Sequence, residues 1–374
     1  MENQIHHARQ YTFHSLKLAK KQQITKNTFT LSFEIPADLR KNFQFEAGQY
    51  VGLKYYHHGE LYIKDFSMTN APHEEGIVLG IKINSEESSV RELFEQYSEG
   101  DFIEVSEPKG RFTIVSKPHE FRTIVGFAAG IGITPLLSHF KHILHTEPRT
   151  RLFLFYGNKD RESVAFKDVL DDLQKQHSER LEIHYFYSRE KIGDRLSEGR
   201  LDEKKLHLII NQILHLDDTD EESTVWDAVD EVLICGKGPM IKSIANACHH
   251  HGILKNNIHF ELFEEYNEDI YPVEVEFPLV ENIRVSFLYN GKQYETVLEN
   301  NKNKLLQSLS ILKFPVPFSC KSGICGSCEC RLQEGKVELL ENEYLTENEE
   351  QKGNILACMS YALTDTIRLD FDNV

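Results

Sequence analysis

Apolar positions follow one rhythm in the first third of the chain and another in the middle. From Phe13 to Ile114 they alternate with polar positions in short runs broken by Gly, Asn and Pro. That pattern predicts strands at 16–18, 28–34, 50–56, 61–68, 76–83 and 101–105, with one helix at 89–97: an all-β barrel. Near Pro118 the apolar runs become continuous and alternate with amphipathic stretches. Strands are predicted at 123–127, 152–156, 181–187, 231–235 and 258–263, and helices at 163–176, 202–213 and 239–248. Such βα alternation implies a mostly parallel sheet covered on both faces. A polar stretch, 264–272, closes on Pro272. Beyond it Asn290-Gly291 lies between two alternating runs, a type I′ hairpin signal, and a helix is predicted at 304–312. The expected division is 10–117, 118–266, a linker at 267–275, and 276–374. Residues 1–10 read as loose, and 216–223 as an acidic surface loop.

The last segment carries the most specific chemistry. Cys320, Cys325 and Cys328 stand in Cys320-Lys321-Ser322-Gly323-Ile324-Cys325-Gly326-Ser327-Cys328, and Cys358 lies thirty positions further on. This is the plant-type C-x4-C-x2-C…C spacing that holds a 2Fe-2S cluster. A structural zinc site would show two C-x2-C pairs, or a Cys pair with a His pair. A disulfide framework belongs to small secreted chains. Gly323 and Gly326 let the backbone wrap the sulfurs closely and point N–H groups at them. Cys330, one residue past Glu329 in a predicted strand, reads as a spare thiol. Cys248 reads as a packed helix residue, and the adjacent His249, His250 and His251 as a solvated helix end. A strand–hairpin–helix order with this loop fits a β-grasp, plant-type ferredoxin domain.

Two glycine turns follow strands in the middle region. Gly126-Phe-Ala-Ala-Gly130-Ile-Gly132-Ile-Thr134-Pro135 joins a strand to a helix. Gly130 and Gly132 allow backbone N–H groups to approach a pyrophosphate, and the helix start adds partial positive charge. Thr134 is expected as N-cap with Pro135 at the first helical position. The third Gly of the dehydrogenase fingerprint is absent, which points to a different nucleotide family. Gly236-Lys237-Gly238-Pro239-Met240 repeats the logic at the end of a later strand, where open α/β sheets bind ligands. Cys235 just before it would face the nicotinamide side.

Composition narrows the partners. The chain has 374 residues, 40% of them hydrophobic, enough for two or three domains. Its net charge of -17 argues against nucleic acid or an anionic membrane surface. No stretch approaches the apolar length of a membrane span, and the first residues lack the apolar core of a signal peptide. A cytoplasmic protein without membrane insertion is expected.

Barrel, GxGxTP loop, CGxGPM turn and four-Cys module together resemble the ferredoxin–NADP reductase superfamily, over nearly the whole chain from about residue 10. Within it the domain order is similar to that of multicomponent oxygenase reductases, the group that includes the reductase of phenylacetyl-CoA epoxidase. The resemblance implies FAD in the barrel, held where the family has Arg-x-Tyr-Ser. Here the run is Lys64-Asp65-Phe66-Ser67. Lys64 would neutralise a phosphate as a point charge without a guanidinium fork. Phe66 would stack on or beside the flavin ring without a hydroxyl, and Ser67 would bond near its N5. Gly48-Gln49-Tyr50 and Pro108-Lys109-Gly110-Arg111-Phe112 match family positions too. Val90, with Ser89 adjacent, stands where the family often has a phosphate-binding Ser. Ser188-Arg189-Glu190 resembles the Ser-Arg-Glu whose first two residues hold the 2′-phosphate of NADPH, a site that asks for a cation and a hydroxyl. NADH is the alternative. Lys159 and Arg161 could add positive charge. Glu261 matches a position beside the flavin, or is a strand-end carboxylate exposed to water.

A hydride carries two electrons and the cluster accepts one, so a flavin must hold the second. The implied catalytic set is Ser67, Cys235 and Glu261. The implied activity is an NAD(P)H reductase passing electrons through FAD and the cluster to a terminal oxygenase or another electron-accepting protein. Alternatives are a reductase for an aromatic-ring dioxygenase or a fatty-acid desaturase, with FMN possible, and a ferredoxin-like carrier without flavin.

Overall fold

A computed structural model describes residues 11–85, 88–214, 225–264, 266, 268–271, 277–318, 321, 323, 326–340, 342 and 344–374. Cys320, Cys325, the loop at 216–223 and most of the expected linker lie outside the described residues. The chain forms two compact units, Tyr11–Glu264 and Glu265–Val374.

The first unit has two cores. Its barrel comprises β1 (Phe13–Thr25), β2 (Thr28–Glu34), β3 (Tyr50–His57), β4 (Glu60–Ser67), β5 (Ile77–Lys82), helix α1 (Ser89–Gln96) and β6 (Phe102–Ser106). The sheet is antiparallel, in the order β4-β3-β6-β1-β2-β5. A bridge between Met68 and Leu79, with Thr69 N–H donating to Val78 O at 2.8 Å, joins the two outer strands. Leu16, Leu18, Phe29, Leu31, Val51, Leu53 and Leu79 alternate inward to fill it. β1 is far longer than the predicted 16–18, because beyond Leu18 its residues are mostly polar and leave no apolar alternation to read.

The α/β half runs β7 (Thr123–Ala129), α2 (Ile133–Thr146), β8 (Arg151–Asn158), α3 (Lys167–Gln176), β9 (Leu181–Tyr187), α4 (Glu203–Gln212), β10 (Val229–Gly236), α5 (Gly238–His250) and β11 (Ile258–Leu262). All five strands are parallel, in the order β11-β10-β7-β8-β9. The predicted helix at 163–176 starts late. Asp160 and Ser163 close a separate 3₁₀ turn through a capping box, and Phe166 turns left-handed at φ +60° before α3. That turn lays the Phe166 ring against the barrel, where a Cβ on Gly80 would stand 2.8 Å from it.

The second unit has β12 (Glu281–Tyr289), β13 (Lys292–Asn300), α6 (Leu305–Ile311), β14 (Glu329–Glu334), β15 (Val337–Leu339), α7 (Glu347–Gln351), β16 (Asn354–Leu356), β17 (Ser360–Ala362) and β18 (Thr366–Asp370). The mixed main sheet is ordered β13-β12-β18-β14-β16, with β12 and β18 parallel. Leu305, Leu306 and Leu309 of α6 share a core with Ile283, Val285 and Phe287 of the sheet, the β-grasp arrangement. Asn290 and Gly291 both take positive φ at the predicted hairpin turn. Among the described residues no helix is long and apolar enough to cross a membrane.

Candidate active site

The chain leaves β7 toward β8 and β9 on one side and toward β10 and β11 on the other. The order therefore reverses between the carboxyl ends of β7 and β10, the position where open α/β sheets form a ligand crevice. Both glycine turns sit there. A Cβ on Gly132 would lie 2.3 Å from the Cys235 carbonyl oxygen, so the two turns pack backbone against backbone. Only glycine fits such an approach. Gly130–Gly132 forms a 3₁₀ turn that runs straight into α2. The helical backbone thus begins earlier than expected, and Thr134 is not the N-cap. Its Oγ1 donates back to Ile131 O at 3.0 Å. Pro135 still falls in the first turn, where its missing N–H leaves no gap in the helix. Tyr156 OH donates to Gly130 O at 2.7 Å and fixes the turn from below.

Ser67, Cys235 and Glu261 converge although their positions span much of the sequence. Cys235 and Glu261 are lateral neighbours in the β10–β11 register. Ser67, the last residue of β4, donates from Oγ to Glu261 Oε2 at 3.2 Å. Glu261 is 8% exposed, so it is not a solvent-facing strand end. Burial pushes the Cys235 thiol well up, and the Glu261 carboxylate pushes it further. Cys235 is thus a neutral thiol, a small polarisable surface rather than a nucleophile.

On the barrel side, Gly48-Gln49-Tyr50 is stitched to the 109–112 segment. Tyr50 and Lys109 exchange backbone hydrogen bonds of 2.8 Å, and Gln49 Nε2 donates to Gly110 O at 3.2 Å. Gly48, at φ +89°, sits so close that a Cβ would meet Phe112 O at 2.0 Å. His139 of α2 lies beneath it, with Nε2 2.8 Å from Phe112 O. Burial lowers His139 to about 4 and keeps it neutral. Lys64 and Phe66 are half-buried on one face of β4. Ser89 is fully buried at the start of α1, its Oγ 3.0 Å from Tyr55 OH, while Val90 packs into the barrel core.

A second pairing of strand ends lies beyond β8 and β9. Ser188 N–H donates to Asn158 O and Arg189 N–H to Lys159 O, both at 2.9 Å. Arg161 is taken up by Glu190, whose Oε2 accepts from its backbone N–H at 2.8 Å. Ser188 and Arg189 are exposed, and among the described residues no carboxylate pairs with Arg189. Asn158 has a buried side chain with no correctly aligned hydrogen-bond partner among the described residues. A buried amide at this edge, with only the Tyr156 hydroxyl beside it and no aligned hydrogen bond, fits a site that a polar ligand completes. Sequence reading passed over Asn158, His139 and Lys82. Lys82 ends β5 facing Gly130, and burial lowers it, with Lys159 and Lys237 acting the same way. None of these belongs to a motif; only contacts between distant segments give them a place.

In the second unit Cys328 and Cys358 are each 3% exposed, and Cys358 N–H donates to Cys328 Sγ at 3.4 Å. Two buried sulfurs, one already receiving a backbone N–H, suit thiolates gripping a cluster. Gly323 and Gly326 take φ +76° and +66°. Cys330 is fully buried in the same core as Cys328 and Cys358. Cys248 is fully buried in α5.

Family models match three stretches: an oxidoreductase FAD-binding domain at 15–114, an oxidoreductase NAD-binding domain at 127–246, and a 2Fe-2S iron-sulfur cluster binding domain at 287–363. The first removes the flavin-free alternative. The chain is 28% identical to one of the subunits of 1,2-phenylacetyl-CoA epoxidase from Escherichia coli K12, over 96% of this chain and 98% of that one. It is 26% identical to the ferredoxin reductase component of 3-ketosteroid-9-alpha-monooxygenase from Rhodococcus rhodochrous, over 93% of each. Its fold resembles phthalate dioxygenase reductase, with a TM-score of 0.50 at 23% identity over 96% of this chain and 98% of that one.

Proposed function

The chain belongs to the ferredoxin reductase type of oxidoreductase, built for FAD, NAD(P)H and a 2Fe-2S cluster, and on that premise we propose that it draws electrons from NADPH and delivers them to a diiron oxygenase. The observation that carries the site reading is the meeting of Ser67, Glu261 and Cys235 at the reversal of the parallel sheet. The end-to-end likeness to the phenylacetyl-CoA epoxidase component supports the acceptor class. A steroid monooxygenase is the second acceptor reading, favoured by the Rhodococcus relative.

The nicotinamide and flavin, when bound, would supply two-electron chemistry and the cluster one-electron chemistry. The chain's own residues bind and orient. Gly130, Gly132 and the start of α2, with the Gly236-Lys237-Gly238-Pro239-Met240 turn opposite, hold the pyrophosphate. Ser188 and Arg189 take the 2′-phosphate. Lys64 and the Gly48, Gln49 and Gly110 backbone hold the flavin, with Phe66 against its ring. Ser67 and Glu261 fix the reacting edge, and the neutral Cys235 thiol excludes water behind the nicotinamide. Cys328 and Cys358, with Cys320 and Cys325, grip the iron pair. The test is reconstitution with purified diiron epoxidase and steroid monooxygenase components. NADPH-dependent turnover of the acyl-CoA substrate is expected. Turnover only with the steroid enzyme, or with neither, rejects the diiron reading.

A further inference from the structure

We propose that His57, His58 and Glu92 bind a zinc ion that ties the β3–β4 turn to helix α1. His57 Nδ1 lies 3.0 Å from Glu92 Oε2, and His58 Nδ1 lies 3.4 Å from Glu92 Oε1. The three ligand atoms fall within 4.8 Å of one another. Around tetrahedral zinc, bonds of about 2.0–2.1 Å set neighbouring ligand atoms roughly 3.3–3.4 Å apart. The His58 Nδ1–Oε1 separation matches that spacing, and the His57 ring, now 3.0 Å from the other carboxylate oxygen, would have to move back by a few tenths of an ångström to admit the ion. Two imidazoles and one carboxylate are a donor set zinc takes, leaving a fourth position open. A softer ion would call for sulfur and a harder one for more oxygen.

Three further observations point the same way. His57 Nδ1 is buried and, although close to the carboxylate, is not aligned with any hydrogen-bond partner among the described residues. Glu92 is oriented by the His58 N–H at 3.3 Å and by Gln96 Nε2 at 3.1 Å, and the His57 ring by the edge of Tyr62 at 5.3 Å. These are the outer supports a metal ligand requires. The third is the backbone. His58 and Gly59 take φ +50° and +80° in a two-residue turn, where Asn-Gly is the favoured pair. The same chain uses Asn290-Gly291 for that task at φ +52° and +69°. A bulkier His in a left-handed position suggests that its side chain, rather than the turn, is what the site needs.

The variant His58→Asn removes a ligand while restoring the favoured turn residue, and Glu92→Gln keeps the shape of the carboxylate. Holoprotein with FAD and iron loaded is dialysed against zinc chloride, and bound zinc and iron are counted. The wild type is expected to hold one zinc more than either variant at micromolar free zinc, with binding weakened in each variant by at least the roughly 10–100-fold that loss of an outer partner alone costs, and with unchanged iron. Zinc-edge X-ray absorption should lose one imidazole in His58→Asn. Equal zinc content and affinity in all three proteins, or an unchanged absorption spectrum, would overturn the assignment.

Discussion

The two edges of the parallel sheet are built on opposite plans. At the amino edge the charged groups are bonded to each other. Arg122, just before β7, grips Glu147 with two hydrogen bonds of 2.9 and 2.6 Å, and Thr150 adds a third at 2.6 Å. Arg180 caps the end of α2 by donating to Glu147 O and Leu144 O at 2.8 and 3.1 Å. Thr123 N–H donates to Asp230 at 2.8 Å, and His259 sits 2.6 Å from Glu231. Burial alone would raise the Glu147 carboxyl; Arg122, Thr150 and the Lys117 N–H outweigh it and hold it low. The carboxyl edge is built differently: glycines, a buried Asn158 amide without an aligned hydrogen bond, a neutral buried thiol and a carboxylate shared with a barrel serine. The amino edge pairs its charges within the chain, Arg122 Nη1 at 3.6 Å from Glu231 being its loosest contact, and the carboxyl edge leaves room for a ligand. The same strands thus divide stability from chemistry, as ligand sites at carboxyl strand ends lead one to expect.

The contrast can be broken first where it is strongest. Arg122→Met leaves Glu147 buried without its partner and should cost about 3–5 kcal/mol in urea denaturation, while turnover by the molecules still folded stays unchanged. At the other edge, Ser67→Ala or Glu261→Gln should slow NADPH oxidation about a hundredfold through misplacement of the reacting groups, with the denaturation midpoint hardly moved. Stability loss without rate loss there would erase the distinction. Arg189→Ala should raise the KM for NADPH about tenfold to a hundredfold, the range of a charge-assisted hydrogen bond, and leave NADH unaffected. Equal losses with both nucleotides would remove Arg189 from the 2′-phosphate.

The smallest effect concerns the joint between barrel and sheet. His139 is lowered from 6.5 to about 4 by burial. An unfolded chain binds this proton below 6.5 and the folded one does not, so stability is present above that pH and declines as pH falls toward about 4. The slope is up to about 1.4 kcal/mol per pH unit. His73, His142, His177 and His251 are shifted the same way. His139→Gln should therefore flatten the decline between pH 6.5 and 5.5 without abolishing it. An unaltered slope would mean that His139 is not held neutral.

Much of this was legible in the sequence where the signal is local. Cysteine spacing, the change from period-two to continuous apolar runs, and glycine turns after strands are all read within a few residues. What escaped depends on distance. Arg122 and Glu147 lie apart along the chain and meet only because β7 and α2 fold back on each other. Glu261 reads as a strand-end carboxylate until β4 brings Ser67 over it. β1 reads as three residues because its outward face is Lys and Gln for most of its length, so apolar alternation fades while backbone pairing with β2 continues. The late start of α3 has the same origin. Phe166 turns left-handed to meet the barrel, a tertiary demand that helix periodicity cannot express.

The central claim is that electrons enter at the carboxyl-edge crevice and leave through the cluster. Its most direct test is Cys358→Ser, reduced by NADPH without air while flavin bleaching, the low-temperature paramagnetic signal and cytochrome c reduction are followed together. The account predicts that the flavin still bleaches at the wild-type rate while the signal and the cytochrome c reduction are lost. Cytochrome c reduction at the wild-type rate, in protein shown by metal analysis to lack the cluster iron, would contradict it.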